Sequence, residues 1–98
     1  LYDSIAIIGL ATPNGWDDPD TDMIKYDADP HQWYIDGQAL LAGPMKFRAD
    51  NAWTVNWGDD TFPYGIGVNS GDNIPVSEAG NYLVRFCDLT GQYAIIRK

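Results

Sequence analysis

The segment from residue 46 to residue 58 reads Lys46-Phe47-Arg48-Ala49-Asp50-Asn51-Ala52-Trp53-Thr54-Val55-Asn56-Trp57-Gly58. It predicts a β-hairpin with one strand over residues 44–49, a turn at Asp50-Asn51 and a second strand over residues 53–57. Side chains alternate between the two faces of a strand. If Phe47 points into a core, Lys46 and Arg48 therefore point outward. The hairpin indicates a sheet that carries long cations and indoles on its outer surface.

The remainder of the chain has the same character. Short β-rich runs recur at about ten-residue spacing between turn residues, and helical periodicity is nearly absent. The runs cover residues 4–8, 22–26, 32–36, 38–41, 73–76, 81–87 and 92–97. With the hairpin they predict an all-β fold, an antiparallel Ig-like β-sandwich of seven to nine short strands. Two longer irregular stretches are expected, over residues 9–20 and 58–72, and such loops often carry binding sites.

Length and charge narrow the class of protein. The 98 residues make one domain, 1–98, and its abrupt first and last strands suggest a domain excised from a longer multi-domain protein. Fourteen acidic residues against six basic ones give a net charge of −8, which argues against a nucleic acid or an anionic membrane as partner. No segment is apolar enough to insert into a membrane. The single cysteine, Cys87, is expected to be a buried apolar thiol.

Acidic residues do not form a convincing reactive site. The run over residues 17–22 could supply calcium ligands. However, an EF-hand loop starting at Asp18 would need glycine at position 23 and glutamate at position 29, where the chain has Met23 and Asp29. We expect a solvated acidic loop. The other carboxylates lie in turns without a desolvating pocket, and His31 has no cysteine partner nearby, so no catalytic residue, metal or cofactor is predicted.

The four tryptophans have different environments. Trp33 alternates with Ile35 in a strand and is expected in the core, whereas Trp57 could be core or rim. Trp16 lies in an irregular loop, and Trp53 directly follows a polar turn. Exposed aromatic rings in such positions require a reason. An indole offers a flat apolar face to the C–H face of a pyranose ring, and nearby cationic and amide groups can bond the hydroxyls.

The order of several motifs resembles one protein family over nearly the whole chain. These motifs are Ile7-Ile8-Gly9, Asn14-Gly15-Trp16-Asp17, Lys46-Phe47-Arg48 with Trp53, Asn56-Trp57-Gly58, Gly71-Asp72-Asn73-Ile74-Pro75-Val76, Ala79-Gly80-Asn81-Tyr82 and Tyr93. Together they resemble a domain of the SusE/SusF family, the outer-membrane starch-binding lipoproteins of Bacteroidetes. The resemblance implies a non-catalytic, Ig-like carbohydrate-binding module repeated in tandem. It also implies a place on the extracellular face of the outer membrane, with a lipid anchor outside this chain.

A second resemblance concerns the hairpin alone. The segment from Lys46 to Trp53 is similar to the Lys-Phe-x-x-Asp-Gly-x-Trp stretch of glycogen-binding modules, with Asn51 where glycine is usual. The resemblance implies that Lys46 bonds sugar hydroxyls, that Trp53 stacks on glucose and that Trp16 supplies a second platform. An Asn-rich segment before a final binding strand matches residues 70–73, although Asp72 departs from the starch-binding pattern.

We therefore expect a glucan site with two angled platforms and Lys46 between them. The expected ligand is an α-glucan such as starch or a maltooligosaccharide, and other outer-membrane glycan-uptake proteins are possible partners. The candidate binding residues are Trp16, Lys46, Arg48, Trp53, Trp57, Ser70, Asp72 and Asn73. Two alternatives stay open: a structural spacer that has lost its platforms, and a protein-interaction domain of a glycan-uptake complex.

Overall fold

Two antiparallel sheets packed face to face make up the fold, as a computed structural model that describes residues 2–17 and 19–98 shows. The first sheet has the order β2-β1-β5-β6-β8, with β9 also pairing with β5, and the second has the order β3-β4-β10-β11-β7. The predicted all-β sandwich is confirmed. The strands are β1 Ile5–Ile8, β2 Thr21–Asp22, β3 Ile24–Lys25, β4 Gln32–Leu40, β5 Gly43–Ala49, β6 Asn56–Gly58, β7 Tyr64–Ile66, β8 Val68–Asn69, β9 Ile74–Val76, β10 Gly80–Cys87 and β11 Gln92–Arg97.

The core lies between the sheets and is rich in aromatic rings. Phe47 of β5 is fully buried and stacks on Phe86 of β10, with ring centroids 4.3 Å apart. Trp57 of β6 meets Phe86 edge-on at 4.9 Å and Tyr2 at 5.6 Å, so it is a core residue. Each large apolar side chain buried in this way contributes about 1.5–3 kcal/mol. These contacts join the two sheets directly beneath the hairpin.

Two features of the second sheet tie its ends to the neighbouring loops. The Tyr82 hydroxyl, near the start of β10, donates to the Glu78 carbonyl, which is the tyrosine-corner arrangement of Ig-like sandwiches. Trp33 is buried, as expected, and its indole nitrogen donates to Oδ2 of Asp88 at 2.8 Å. The other oxygen of Asp88 lies 2.7 Å from Nδ1 of His31. The expected burial of Cys87 is also confirmed.

The described residues form eleven strands, more than the seven to nine predicted. The extra ones include β7 and β8, inside the stretch 58–72 that was expected to be irregular. These strands are too short and their surroundings too rich in glycine to show a period-two alternation of apolar residues. Conversely, the two predicted runs on either side of Gly37 form one strand, β4. It continues through a bulge at Asp36 and Gly37 opposite Leu83, and the φ angle of Gly37, 78°, fits that conformation.

The hairpin turn is longer than predicted. Asp50 and Asn51 have φ angles of 55° and 54°, and the Ala52 amide donates to the Ala49 carbonyl at 3.2 Å. The chain does not return to the sheet there, because β6 begins only at Asn56. The prediction of a strand over residues 53–57 is therefore wrong in its first half. Trp53 projects from the turn and is not a member of the ladder.

Candidate functional site

The outer face of the first sheet is covered by loops. The side chains that alternate with the core residues there are Ala6 and Ile8 of β1, Lys46 and Arg48 of β5, and Asn56 of β6, and all of them are buried. Lys46 and Arg48 therefore point away from the core, as predicted. However, they are only 7% and 4% exposed and do not reach solvent.

Residues 9–17, 19–20 and 69–73 form this cover, and glycines allow their close approach. A Cβ atom at Gly9 would overlap the backbone at Pro44, and one at Gly58 would overlap the carbonyl oxygen of Asp72. Glycine at these two positions lets each loop lie directly on the sheet. The backbone of the covering segments therefore contacts the backbone of the sheet directly, which leaves little room for the side chains of Lys46 and Arg48 to move.

A buried ion pair anchors the first covering loop. Two guanidinium nitrogens of Arg48, Nε and Nη2, donate to the two carboxylate oxygens of Asp20. The two side chains are 5% and 0% exposed. The expectation of a solvated acidic loop is thus wrong for Asp20, because it neutralises a cation on the covered face. Asp18, part of the same expectation, lies outside the described residues. Within residues 2–17 and 19–98 no group of three or more histidine, cysteine or acidic side chains could hold a metal ion.

Trp53 lies over this ion pair, and Trp16 lies beside Trp53. The Arg48 Cζ atom is 4.8 Å from the centroid of the Trp53 ring, within cation–π distance. The centroids of the Trp16 and Trp53 rings are 5.9 Å apart, and their planes are tilted by 39°. The residues are 37% and 48% exposed. The two indoles, here called the tryptophan pair, form one bent aromatic surface that is partly open to solvent.

The loop that carries Trp16 is fixed by hydrogen bonds within itself. The Gly9 amide donates to the Gly15 carbonyl at 3.0 Å, and the Gly15 amide donates to the Thr12 carbonyl at 3.2 Å. Nδ2 of Asn14 donates to the Pro19 carbonyl at 2.9 Å, and this bond spans Trp16. Hydrogen bonds therefore hold the loop both before Trp16 and across it.

Lys46 has a different role from the one expected. Its ammonium group donates to the carbonyl of Gly71, in the second covering segment, and does not lie between the two indoles. Burial lowers its pKa, and the nearby carboxylate of Asp72 opposes that shift. Lys46 is therefore a buried anchor of segment 69–73 and not an exposed donor to a ligand. Similarly, Arg48 is a support beneath Trp53 and is covered by it.

Segment 70–73 is linked by hydrogen bonds to the turn that carries Trp53. The Ser70 amide donates to the Asn56 carbonyl at 2.9 Å, and Nδ2 of Asn56 donates to the Trp53 carbonyl at 2.9 Å. Asn56 thus connects the turn of Trp53 to this segment. Ser70, Asp72 and Asn73 are all exposed. These three residues are here called the polar rim.

The structure therefore unites part of the predicted site. Trp16 and Trp53 are in contact and partly exposed, and Arg48 lies beneath Trp53. Lys46 is buried under segment 69–73, and Trp57 belongs to the core. Sequence reasoning missed Asp20 and Asn56, which hold the site together. The partner of Asp20 is 28 residues away along the chain, so local sequence gives no signal for it. The side chain of Asn56 bonds Trp53 only three residues away, within the turn whose length was not predicted. An aromatic surface with an exposed polar rim can stack on a ring with an apolar face and bond its hydroxyl groups.

Comparison with protein-family models, with curated protein sequences and with solved structures finds no match to this chain. The described residues contain no helix long and apolar enough to span a membrane.

Proposed function

We propose that this domain is a non-catalytic carbohydrate-binding module that binds an α-glucan across the tryptophan pair. The observation that carries the proposal is the geometry of Trp16 and Trp53: partly exposed rings on one surface, 5.9 Å apart and tilted by 39°. Adjacent, partly exposed aromatic rings are typical of interaction surfaces, and this exposure supports the proposal.

The tilt of the two rings supports a curved ligand. A flat chain can stack on only one of two planes that meet at 39°, whereas a chain that turns between successive sugars can stack on both. An α-1,4-glucan turns in this way. Ser70, Asp72 and Asn73 supply hydroxyl, carboxylate and amide groups for the sugar hydroxyls. Because polar desolvation offsets much of the stacking gain, we expect a Kd of about 10 µM to 1 mM.

The wider setting is part of the same proposal and rests on the motif resemblance. A weak single site becomes useful when several copies share one polysaccharide, since linked sites raise the effective concentration. The SusE/SusF-like motifs support a lipid-anchored protein on the extracellular face of the outer membrane that holds starch or maltooligosaccharides. Other outer-membrane glycan-uptake proteins would be its partners.

Native gel electrophoresis in the presence of amylopectin tests the proposal. The unaltered domain should be retarded, and Trp53→Ala or Trp16→Ala should migrate as if no glucan were present. Tyr64→Ala is the matched control, because Tyr64 is a more exposed aromatic residue, at 71%, outside the tryptophan pair. It should be retarded like the unaltered domain. Equal mobility of the unaltered domain with and without amylopectin, or full retardation of Trp53→Ala, would contradict the proposal.

One feature favours a second candidate function, a protein-interaction domain. The edge strand β7 and the start of β8 expose Tyr64, Ile66 and Val68, at 71%, 57% and 56%. An apolar edge strand is a template for pairing with another chain. The same gel separates the candidates, because an interaction domain or spacer would show no retardation by amylopectin. Ile66→Lys would then be the variant that weakens association with a protein partner.

A further inference from the structure

The outer face of the second sheet contains a groove that the proposed function does not use. Its residues alternate with the core residues of the same strands. One cavity of about 300 Å³ is lined by Tyr26, Gln32, Tyr34, Leu83 and Arg85, among others. A second cavity of about 180 Å³ adjoins it, because Gln32 and Arg85 line both. The larger cavity is at the lower end of the range for ligand pockets.

The strand register shows that the groove crosses the sheet. Arg85 of β10 pairs with Tyr34 of β4 on one side and with Ala94 of β11 on the other. These three side chains form a row perpendicular to the strands. Because neighbouring strands are about 4.8 Å apart, the row spans roughly 10 Å. The small side chain of Ala94 leaves the groove shallow at the β11 end, and the Tyr26 ring closes it at the β4 end.

Arg85 at the centre of this row differs from the other cations in its contacts. Each of the other five basic side chains contacts a specific group: Lys25 the Trp33 ring, Lys46 the Gly71 carbonyl, Arg48 the Asp20 carboxylate, Arg97 Glu78, and Lys98 Asp36. Arg85 is exposed, and the described part of the chain gives it no hydrogen bond or ion pair. Acidic residues outnumber basic ones by fourteen to six, so there are more than enough carboxylates to pair with every cation. A guanidinium in a groove without an ion pair to any of the described residues is therefore unusual in this protein.

The groove also has the two-sided chemistry that a sugar requires. Tyr26 and Tyr34 meet edge to face, with ring centroids 6.5 Å apart, and provide an apolar wall. Gln32 and Arg85 add amide and guanidinium donors to the same lining. A polyanion is disfavoured because the whole domain is acidic and Asp27 directly follows Tyr26. Neutral hydroxyl groups can accept from Arg85 without meeting this repulsion.

We propose that this groove is a second binding site, for a neutral oligosaccharide, on the sheet opposite the one that bears the tryptophan pair. The site depends on Arg85, Tyr34 and Gln32 and does not depend on the proposed function of the pair. A domain with both sites holds two glycan segments on opposite sides.

Titration with maltoheptaose, followed by ¹H–¹⁵N NMR, tests the second site. The Nε–H signal of Arg85 and the side-chain amide signal of Gln32 should shift, and they should still shift in a Trp16→Ala/Trp53→Ala double variant. Arg85→Ala should raise the Kd measured on the Gln32 signal by about 3- to 10-fold, the range for one lost hydrogen-bond donor. Lys98→Ala removes the same charge outside the groove and should leave that Kd unchanged.

Three outcomes would overturn the inference. If the groove signals do not shift, no neutral sugar binds there. If they shift only with trigalacturonic acid, the site selects anions. If their shifts vanish in the double variant, the shifts are transmitted from the tryptophan pair. The indole N–H signals of Trp16 and Trp53 report separately on the proposed function, so either site can fail without the other.

Discussion

The buried ion pair of Asp20 and Arg48 gives the sharpest prediction about stability. We expect Asp20→Ala to destabilise the domain strongly, because it removes the carboxylate that binds two nitrogens of a guanidinium that is itself almost inaccessible to water. A surface ion pair contributes only about 0–1 kcal/mol. Breaking a buried pair costs about 3–5 kcal/mol. The side-chain exposures of 0% and 5% place this pair in the second class.

The expected loss is a large share of the total stability. A domain of this size is stable by about 5–15 kcal/mol. For 60–100 residues, each 1 kcal/mol lowers the melting temperature by about 4–8 °C. A loss of about 3 kcal/mol therefore lowers it by roughly 12–24 °C. Arg48→Lys should be nearly as damaging, since a lysine keeps the charge but lacks the planar fork that binds both oxygens and lies under Trp53.

Urea unfolding followed by far-UV circular dichroism at pH 7 measures these losses. Glu78→Ala is the matched control, because it also removes one carboxylate from an arginine pair, but the side chains of Arg97 and Glu78 are 51% and 71% exposed. Its unfolding free energy should fall by less than about 1 kcal/mol. If Asp20→Ala lowers stability no more than Glu78→Ala does, the outer face of the first sheet is not closed to water and the reasoning fails.

Three further predictions concern single side chains. Burial raises the pKa of Tyr93 from 10.0 to about 12. The unfolded chain therefore loses this proton first, and the free energy of unfolding should fall as the pH rises from 10.0 to about 12. Urea unfolding at several pH values in this range checks this: the fall should be smaller in Tyr93→Phe than in the unaltered domain, and an equal fall in both would contradict it. Asp88→Ala should cost about 1–3 kcal/mol in urea unfolding, because it leaves the buried Trp33 N–H without its acceptor, and unchanged stability would refute this. Burial lowers the pKa of Lys46 from 10.5, so its buried charge opposes folding at neutral pH, and the free energy of unfolding should rise as this charge is lost at alkaline pH. Lys46→Met should abolish that rise in urea unfolding and should leave retardation by amylopectin intact. Loss of retardation would restore Lys46 as a ligand donor.

Local patterns predicted the parts of the fold that local physics determines. The alternation around Phe47 fixed which face of β5 enters the core, and the runs at 81–87 and 92–97 correspond closely to β10 and β11. Trp33 was assigned to the core from its alternation with Ile35. In each case the deciding information is the period of two within one strand, which needs no knowledge of distant segments.

The covered outer face could not be predicted in this way. Whether Lys46 and Arg48 reach solvent depends on residues 9–17, 19–20 and 69–73, which fold over the sheet from distant parts of the sequence. Alternation correctly gave their direction but contains no information about what lies above them. The length of the hairpin turn was also unpredictable, because Asp50 and Asn51 suit a tight turn whether or not the following residues rejoin the ladder. That difference placed Trp53 on the turn, where it can meet Trp16.

Burying the Arg48 guanidinium costs desolvation free energy, and a role in orienting the tryptophan pair would explain why the cation is there. Hydrophobic residues of similar volume often replace a buried ion pair without loss of stability, so stability alone does not explain it. A guanidinium 4.8 Å from the Trp53 centroid also holds that ring at a fixed angle, which reduces the ordering cost when a ligand binds. The double variant Asp20→Leu/Arg48→Met separates the two roles. Its unfolding free energy should be at most about 1.5 kcal/mol below that of the unaltered domain. It should bind maltoheptaose about 2- to 12-fold more weakly, which corresponds to about 0.5–1.5 kcal/mol for one side chain that must now be immobilised. Unchanged affinity would show that Trp53 needs no support from below.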